Sequence, residues 1–178
     1  MKKTLLFILV SFFMLTGTQS FAQIFMVFDG VKGESTFKPF PSSIQLNSLS
    51  WGAKNGTTAT GMGGATVGRV QVSELVITKT RSASSPAMQM LVFNGKVTPK
   101  AEIRFYKQGA NPSSYLIITL ENVYISNWSI SAEANGAPTE SFSLVFTKFK
   151  TEDATIKPDG TVEKIPAVGW DIQRNTAN

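Results

Sequence analysis

Val70-Gln71-Val72-Ser73-Glu74-Leu75-Val76-Ile77-Thr78-Lys79 and, a few residues on, Ser84-Ser85-Pro86-Ala87-Met88-Gln89-Met90-Leu91-Val92-Phe93-Asn94-Gly95 decide the fold of this chain. The first stretch reads as a β-strand, with alternating apolar residues at Val70/Val72 and again, on the other parity, at Leu75/Ile77. In the second, a serine pair precedes Pro86. A serine side chain there can accept the first free helix N–H groups, while the proline sits where its missing N–H costs nothing. Met88, Leu91 and Val92 recur at spacings of three and four, and Asn94-Gly95 supplies a left-handed stop. The pattern predicts one helix over about residues 86–94 in a chain that otherwise reads as strand and turn, so the helix closes one side or end of a β-barrel or sandwich.

The apolar parity slips in mid-strand three times. Ile44/Leu46 give way to Leu49/Trp51, Val70/Val72 to Leu75/Ile77, and Leu116/Ile118/Leu120 to Val123/Ile125. A one-residue slip sends side chains to the opposite face. Either these strands are bulged or pass from one sheet to another, or they are apolar on both faces. The first reading suits a small, strongly curved barrel. The expected class is mainly β: a compact barrel of two curved antiparallel sheets with one short flanking helix.

The remaining segments fit that frame. Ile24 to Asp29 reads as the first strand, turning at Asp29-Gly30, and Phe37-Lys38-Pro39-Phe40-Pro41 as a loop, because proline lacks a ladder donor. Ile44 to Gly52, Thr98 to Gln108, Tyr115 to Ile125 and Trp128 to Ala134 read as strands. Thr139 to Lys150 reads as the longest, with Phe142, Leu144 and Phe146 inward. Val145 and Phe149 lie on its opposite face, so it is either central between layers or turns an apolar face to a neighbouring subunit, which makes Val145 and Phe149 candidate subunit-interface residues. Asp159-Gly160 marks a hairpin, and Ala167 to Ile172 closes the fold before a polar tail. Ala53 to Gly68 is glycine-rich and reads as a long exposed loop. It lacks the Gly-Lys-Ser/Thr ending and following helix of a phosphate cradle, and a loop of this length is more often an interaction arm than a passive connector.

Composition narrows the function. The chain has 178 residues, 42% of them hydrophobic, with 13 Phe and only 16% charged, which suits one domain rich in sheet. Residues 1–22 have the layout of a secretory signal peptide: Lys2-Lys3, an apolar run from Leu5 to Leu15, and Ser20-Phe21-Ala22 as the cleavage site. The expectation is cleavage after Ala22 and an exported domain over residues 23–178, periplasmic or extracellular, with no stable membrane anchor because the apolar run is too short to span. Net charge falls from +5 to +3 once Lys2 and Lys3 leave. No basic run tracks a phosphate backbone, so nucleic acid is not an expected partner. Lys79/Arg81 and Lys148/Lys150 read as strand-edge charges. There is no cysteine and no histidine, which excludes disulfides, thiolate or imidazole metal sites, and Ser-His or Cys-His catalysis. Glu121, Glu133 and Glu140 read as solvent-facing, and nothing in their spacing requires the paired-carboxylate geometry of a glycosidase. No catalytic residue, cofactor or metal ligand is assigned.

Taken in order, Phe28-Asp29-Gly30-Val31-Lys32-Gly33-Glu34-Ser35, Ile44 to Trp51-Gly52, the glycine-rich stretch, Val70 to Lys79, Ser84-Ser85-Pro86 to Asn94-Gly95-Lys96, Tyr115-Leu116, Pro138 to Leu144 and Gly169-Trp170-Asp171-Ile172 resemble the haemolysin-coregulated protein family of type VI secretion. The resemblance covers nearly all of residues 23–178. It implies a compact β-barrel with a flanking helix, no catalytic residues, and self-association into a homo-hexameric ring with a central channel. It further implies that rings stack into a tube and that a secreted effector or small protein rides as cargo in the lumen. Gly56, Gly61, Met62, Gly63 and Gly64 would form the arm reaching a neighbouring ring. The chain departs from the family in its export leader, since family tubes assemble in the cytoplasm, and at Phe37 to Pro41, where the family is commonly polar. The alternative function is an exported monomeric barrel that recognises a ligand or protein partner.

Overall fold

Each strand with a slipped apolar pattern leaves one sheet and enters another in the computed structural model, which describes residues 22–56, 58–60, 64–66, 68–107, 112–157 and 159–177. The first strands are β1 (Ala22–Phe28), β2 (Ile44–Leu46), β3 (Ser48–Ser50), β4 (Ala53–Asn55), β5 (Thr58–Thr60), β6 (Gly64–Thr66), β7 (Val70–Val72) and β8 (Leu75–Thr80). The helix α1 (Ser85–Asn94) follows, then β9 (Thr98–Lys107), β10 (Ser113–Ser131), β11 (Thr139–Val145), β12 (Lys148–Ile156), β13 (Val162–Lys164), β14 (Val168–Asp171) and β15 (Thr176–Ala177).

One antiparallel sheet runs β2-β1-β9-β10-β12-β14-β15, with β13 on the far half of β12. The second runs β3-β8-β11-β10. β10 belongs to both: Leu116 to Glu121 pair with β12, and Tyr124 to Ser131 pair with β11. The slips mark the corners. Asn47 separates β2 on the first sheet from β3 on the second, so Ile44 to Gly52 is two short strands rather than one. Ser73-Glu74 divides the expected strand Val70 to Lys79 into β7, which pairs with β4 outside both of these sheets, and β8 on the second sheet. Tyr115–Ile125 and the start of Trp128–Ala134 instead lie on one continuous strand, the longest among the described residues at 19 residues. Thr139 to Lys150 breaks at Phe146-Thr147, where the chain leaves β11 for β12.

The bend in β10 has a specific cause. Leu120 and Val123 are both fully buried although three apart, and the phase is absorbed by Asn122, whose φ of 51° lies in the left-handed region. Asparagine tolerates that conformation better than branched residues do. Its Nδ2 donates to Thr147 Oγ1 at 2.9 Å, and the Thr147 N–H donates to the Glu121 carbonyl at 3.1 Å. Two corners are thereby stitched to each other.

The core between the sheets contains Met26, Phe28, Ile44, Leu46, Leu75, Ile77, Ala101, Ile103, Leu120, Val123, Phe142 and Leu144, closed by Met88 from α1. Each large side chain buried there contributes about 1.5–3 kcal/mol. Gly95 ends α1 at φ 60°, as Asn94-Gly95 predicts. The start differs: Ser84 occupies the N-cap but makes no side-chain capping bond. The Ser85 hydroxyl accepts from the Ser82 N–H at 3.0 Å and is committed to buried partners besides. Outside the core, the Phe37–Pro41 loop lies over β1 and β9. Phe37 stacks on Phe25 at 4.8 Å and meets Tyr106 edge-on at 4.9 Å, while the Arg104 guanidinium lies 4.5 Å from the Phe40 ring centre. Tyr106 is therefore buried on the face opposite Ile103.

Asn122→Gly should leave stability within about 1 kcal/mol of wild type, and Asn122→Val should cost about 1–3 kcal/mol, because only the latter resists a left-handed backbone. Chemical denaturation of the two variants makes the comparison.

Candidate assembly site

Among the described residues, β4, β5, β6 and β7 make a β-ribbon with no ladder to either barrel sheet. β4 pairs with β7 and β5 with β6, each antiparallel. The expectation of an irregular loop is thus corrected: the threonines at 58, 60 and 66 favour extended backbone, and the glycines do not prevent pairing. The neck is tightly held. Ser73 Oγ donates to the Gly52 carbonyl at 2.8 Å, the Ser73 N–H donates to the same oxygen at 2.9 Å, and the Gly52 N–H donates back to Ser73 Oγ at 3.1 Å. Gly68 crosses so close to the Gly56 carbonyl that a Cβ there would collide with it. Of the predicted arm residues, Gly56 is exposed at the neck and Gly64 opens β6 opposite Thr60. Gly61, Met62 and Gly63 lie outside the described residues, as do residues 1–21 of the expected leader. A groove of about 530 Å³ opens between Gly52–Lys54 and Gln71–Ser73.

The end of the chain braces this ribbon. Arg69 Nη2 donates to the carbonyls of Ile172 and Gln173 at 2.7 and 2.9 Å, and Asn175 Oδ1 accepts from the Val70 N–H at 3.4 Å. What reads as a polar tail includes a tight turn and β15, which pairs back onto β14. Asp171 organises the turn by accepting from the Arg174 N–H at 2.9 Å. That bond, assisted by the Lys148 and Arg174 charges against the opposing effect of desolvation, holds its carboxyl below the usual aspartate value.

Val145 is half-buried and lines a small hollow with Val72, Ser73, Glu74, Phe146 and Ile172. Phe149 is half-buried and packs edge-on against Trp51 at 4.7 Å, with Phe146 at 5.7 Å from the same indole. Both predicted interface residues therefore sit at the root of the arm. Exposed apolar groups lie elsewhere: Met90, Phe93 and Val97 on and just after the outer face of α1, with Tyr124 and Ile130 on β10, and Val162, Ile165 and Val168 on and between β13 and β14. Phe93 meets Trp128 edge-on at 6.3 Å. Sequence reasoning missed this face, although Met90 and Phe93 fall outside the Met88/Leu91/Val92 stripe and so point away from the core.

The charged residues correct two expectations. Lys79 and Glu140 are neither edge nor solvent charges: both are fully buried and face each other across β8 and β11. Lys79 Nζ donates to the Thr80 carbonyl, Ser82 Oγ and Ser85 Oγ at 2.8–2.9 Å and lies 3.5 Å from Glu140 Oε2. Glu140 also accepts from Arg81 Nη1 at 2.8 Å, from Trp128 Nε1 at 3.3 Å and from the Ser85 hydroxyl. Burial lowers the Lys79 pKa from its usual value, and Glu140 partly offsets that. Lys148 and Lys150 lie on β12, which has β10 on one side and β14 on the other, and pair with Asp171 and Glu152. Glu121 and Glu133 are exposed, as expected, and are separated by the second half of β10. Glu140 is thus enclosed by protein partners, and the three carboxylates do not meet in a cleft.

Comparison with known proteins agrees with this geometry. The family model described as "Type VI secretion system effector, Hcp" matches residues 25–152. The chain is 33% identical over 157 residues to protein hcp1 of Pseudomonas aeruginosa, covering 85% of this chain and 96% of that protein. Among solved structures, one described as a type six secretion system protein superposes with a TM-score of 0.84 at 24% identity, over 88% of this chain and 99% of the other. Hcp1 from Salmonella typhimurium gives a TM-score of 0.70 at 24% identity, with the same coverage.

Lys79→Met should cost about 3–5 kcal/mol by chemical denaturation, because it strips a buried carboxylate of a partner, whereas Lys79→Met combined with Glu140→Leu should recover most of the loss. The Asp171 carboxyl is held below its unfolded value, so its contribution is complete above about pH 4 and is lost as pH falls through the depressed folded value. Asp171→Asn should therefore lower the thermal midpoint at neutral pH, with the difference from wild type closing in acid.

Proposed function

The chain belongs to the Hcp family of type VI secretion proteins, and from that premise we propose that it is a non-enzymatic structural subunit whose copies close into a homo-hexameric ring. The observation that carries this reading is the arm: a paired ribbon, rooted in the barrel by hydrogen bonds on both of its strands, whose outer half ladders only with itself. An isolated two-stranded ribbon is marginal in water, so surface supplied by another copy is the natural support for its far half. The arm, including Gly56, Gly61, Met62, Gly63 and Gly64, reaches the neighbouring ring and allows rings to stack into a tube. Val145 and Phe149 set the subunit contact through the joint at the arm's root. A secreted effector or small protein occupies the ring lumen as cargo.

Residues 1–22 direct export, and cleavage after Ala22 releases the domain of residues 23–178 to the periplasm or beyond. That places assembly outside the cytoplasm. A second reading, an exported monomeric module that binds a ligand or protein, is favoured by the exposed Met90, Phe93 and Val97 beside Trp128.

Multi-angle light scattering of the domain beginning at Gln23 should give the mass of six copies; a strictly monomeric protein removes the ring reading. Replacing residues 57–67 by a two-residue turn should leave that mass unchanged and abolish end-to-end stacks in negative-stain images. In the binding-module reading, by contrast, Phe93→Ser removes partner binding from a protein that is monomeric throughout.

A further inference from the structure

We propose that the turn over Asp171–Asn175, with β15 behind it, is a clamp that sets the angle at which the arm leaves the barrel, and that Arg69 is its positioning residue. The inference rests on the reading of the arm as a contact between copies of this chain.

Two supports hold the ribbon, and they do different things. The Gly52–Ser73 bonds fix the point where the two strands emerge. A ribbon held at one point can still swing about it. Arg69 lies four residues further along, about 13 Å of extended chain, and its guanidinium grips two successive carbonyls, those of Ile172 and Gln173. Asn175 adds the bond to the Val70 N–H. A second anchor at that distance removes the swing.

The clamp is rigid because the turn is itself anchored. The Ile172 N–H donates to the Thr147 carbonyl at 2.9 Å, at the corner where β11 gives way to β12. Asp171 accepts from the Arg174 N–H and pairs with Lys148 at 3.7 Å. Asn175 holds a left-handed backbone at φ 56°, which turns the chain back into β15. A continuous set of bonds thus leads from the barrel corner through the turn to Arg69 and the arm. Both bonds leave the one nitrogen Nη2, whose two N–H groups are fixed in the guanidinium plane, so the shorter lysine with its freely rotating ammonium holds the two carbonyls less firmly. A second copy meets the arm in one orientation only while this clamp is closed.

Hydrogen exchange of the full domain from Gln23, as wild type, Arg69→Ala and Arg69→Lys, tests the proposal. In Arg69→Ala, amides of residues 53–55 and 70–72 should exchange about tenfold faster, while those of residues 101–106 and the thermal midpoint stay as in wild type. Arg69→Lys should fall between. Asn175→Gly keeps the left-handed backbone and removes only the bond to Val70, so it should shift the same amides in the same direction by less. Unchanged exchange over residues 53–72 in Arg69→Ala overturns the clamp. Sedimentation of the same samples scores the arm separately: stacking should fall in Arg69→Ala in proportion to the faster exchange. A wild type that never stacks removes the reading of the arm as an inter-copy contact, while the exchange comparison still decides the clamp.

Discussion

A lysine and a glutamate face each other across β8 and β11 with no surface exposed to water, and much of the second sheet depends on how that pair is satisfied. Burying two charges costs several kcal/mol per ion unless every remaining donor and acceptor is met. Here they are met from four places: the Thr80 carbonyl at the end of β8, Arg81 and Ser82 beyond it, Ser85 at the start of α1, and Trp128 on β10. The cluster closes only when strand register, the 81–84 connection and the helix entry are all correct. A one-residue slip between β8 and β11 would break the pair and also expose Ile77 or Phe142. The serine cap on α1 is absent because the hydroxyl of the N-cap residue Ser84 is turned to Ser82 Oγ at 3.0 Å, while the Glu140 carboxylate at that end complements the positive pole of the helix.

The corners connect this barrel to its arm. Thr147 receives Asn122 from one corner and Ile172 from the C-terminal turn, while Trp51 packs against Phe146 and Phe149 on either side of the same corner. Strand switching is usually seen as a way to close a barrel. In this chain it also brings the root of the arm, the β11–β12 corner and the last residues of the domain to one place. Elements more than a hundred residues apart in sequence thereby support one another, as the Arg69 bonds to Ile172 and Gln173 do at separations of 103 and 104.

The corners and the helix were legible because a period-2 pattern records phase. Leu120 to Val123 revealed the bend at Asn122, and Asn94-Gly95 revealed the helix stop. The buried pair was misread although the same period reported it: Lys79 shares the parity of Leu75 and Ile77, and Glu140 that of Phe142 and Leu144. The general preference of charges for water was allowed to override the local pattern. The arm was misread for a different reason. Glycine content suggests irregular backbone, whereas a ribbon of threonine and glycine needs only a partner strand to extend. The C-terminal clamp could not be read at all, because no local signal connects Arg69 to carbonyls a hundred residues away, and short contacts of this kind follow from topology alone.

The apolar loop Phe37 to Pro41 bears on which surfaces remain available. In a polar version of that loop, the outward face of β1 and β9 would stay accessible, with Phe25 and Tyr106 in need of cover. Here Phe37 and Phe40 supply that cover from within the chain, Arg104 lies over Phe40, and Glu102 pairs with Arg104 and Lys100. The Glu102 carboxyl is held below its usual value because those two cations outweigh the opposing effect of burial. This face is satisfied internally and offers a partner little apolar area to gain. The opposite holds at α1, where Met90 and Phe93 are more than half exposed, and at β14, where Val168 is too. Apolar area left open to water is what covering a surface would gain, and here it lies on α1 and around β13 and β14 rather than on the β1–β9 face. Sealing β1 and β9 from within therefore removes that face from the surfaces with apolar area left to bury.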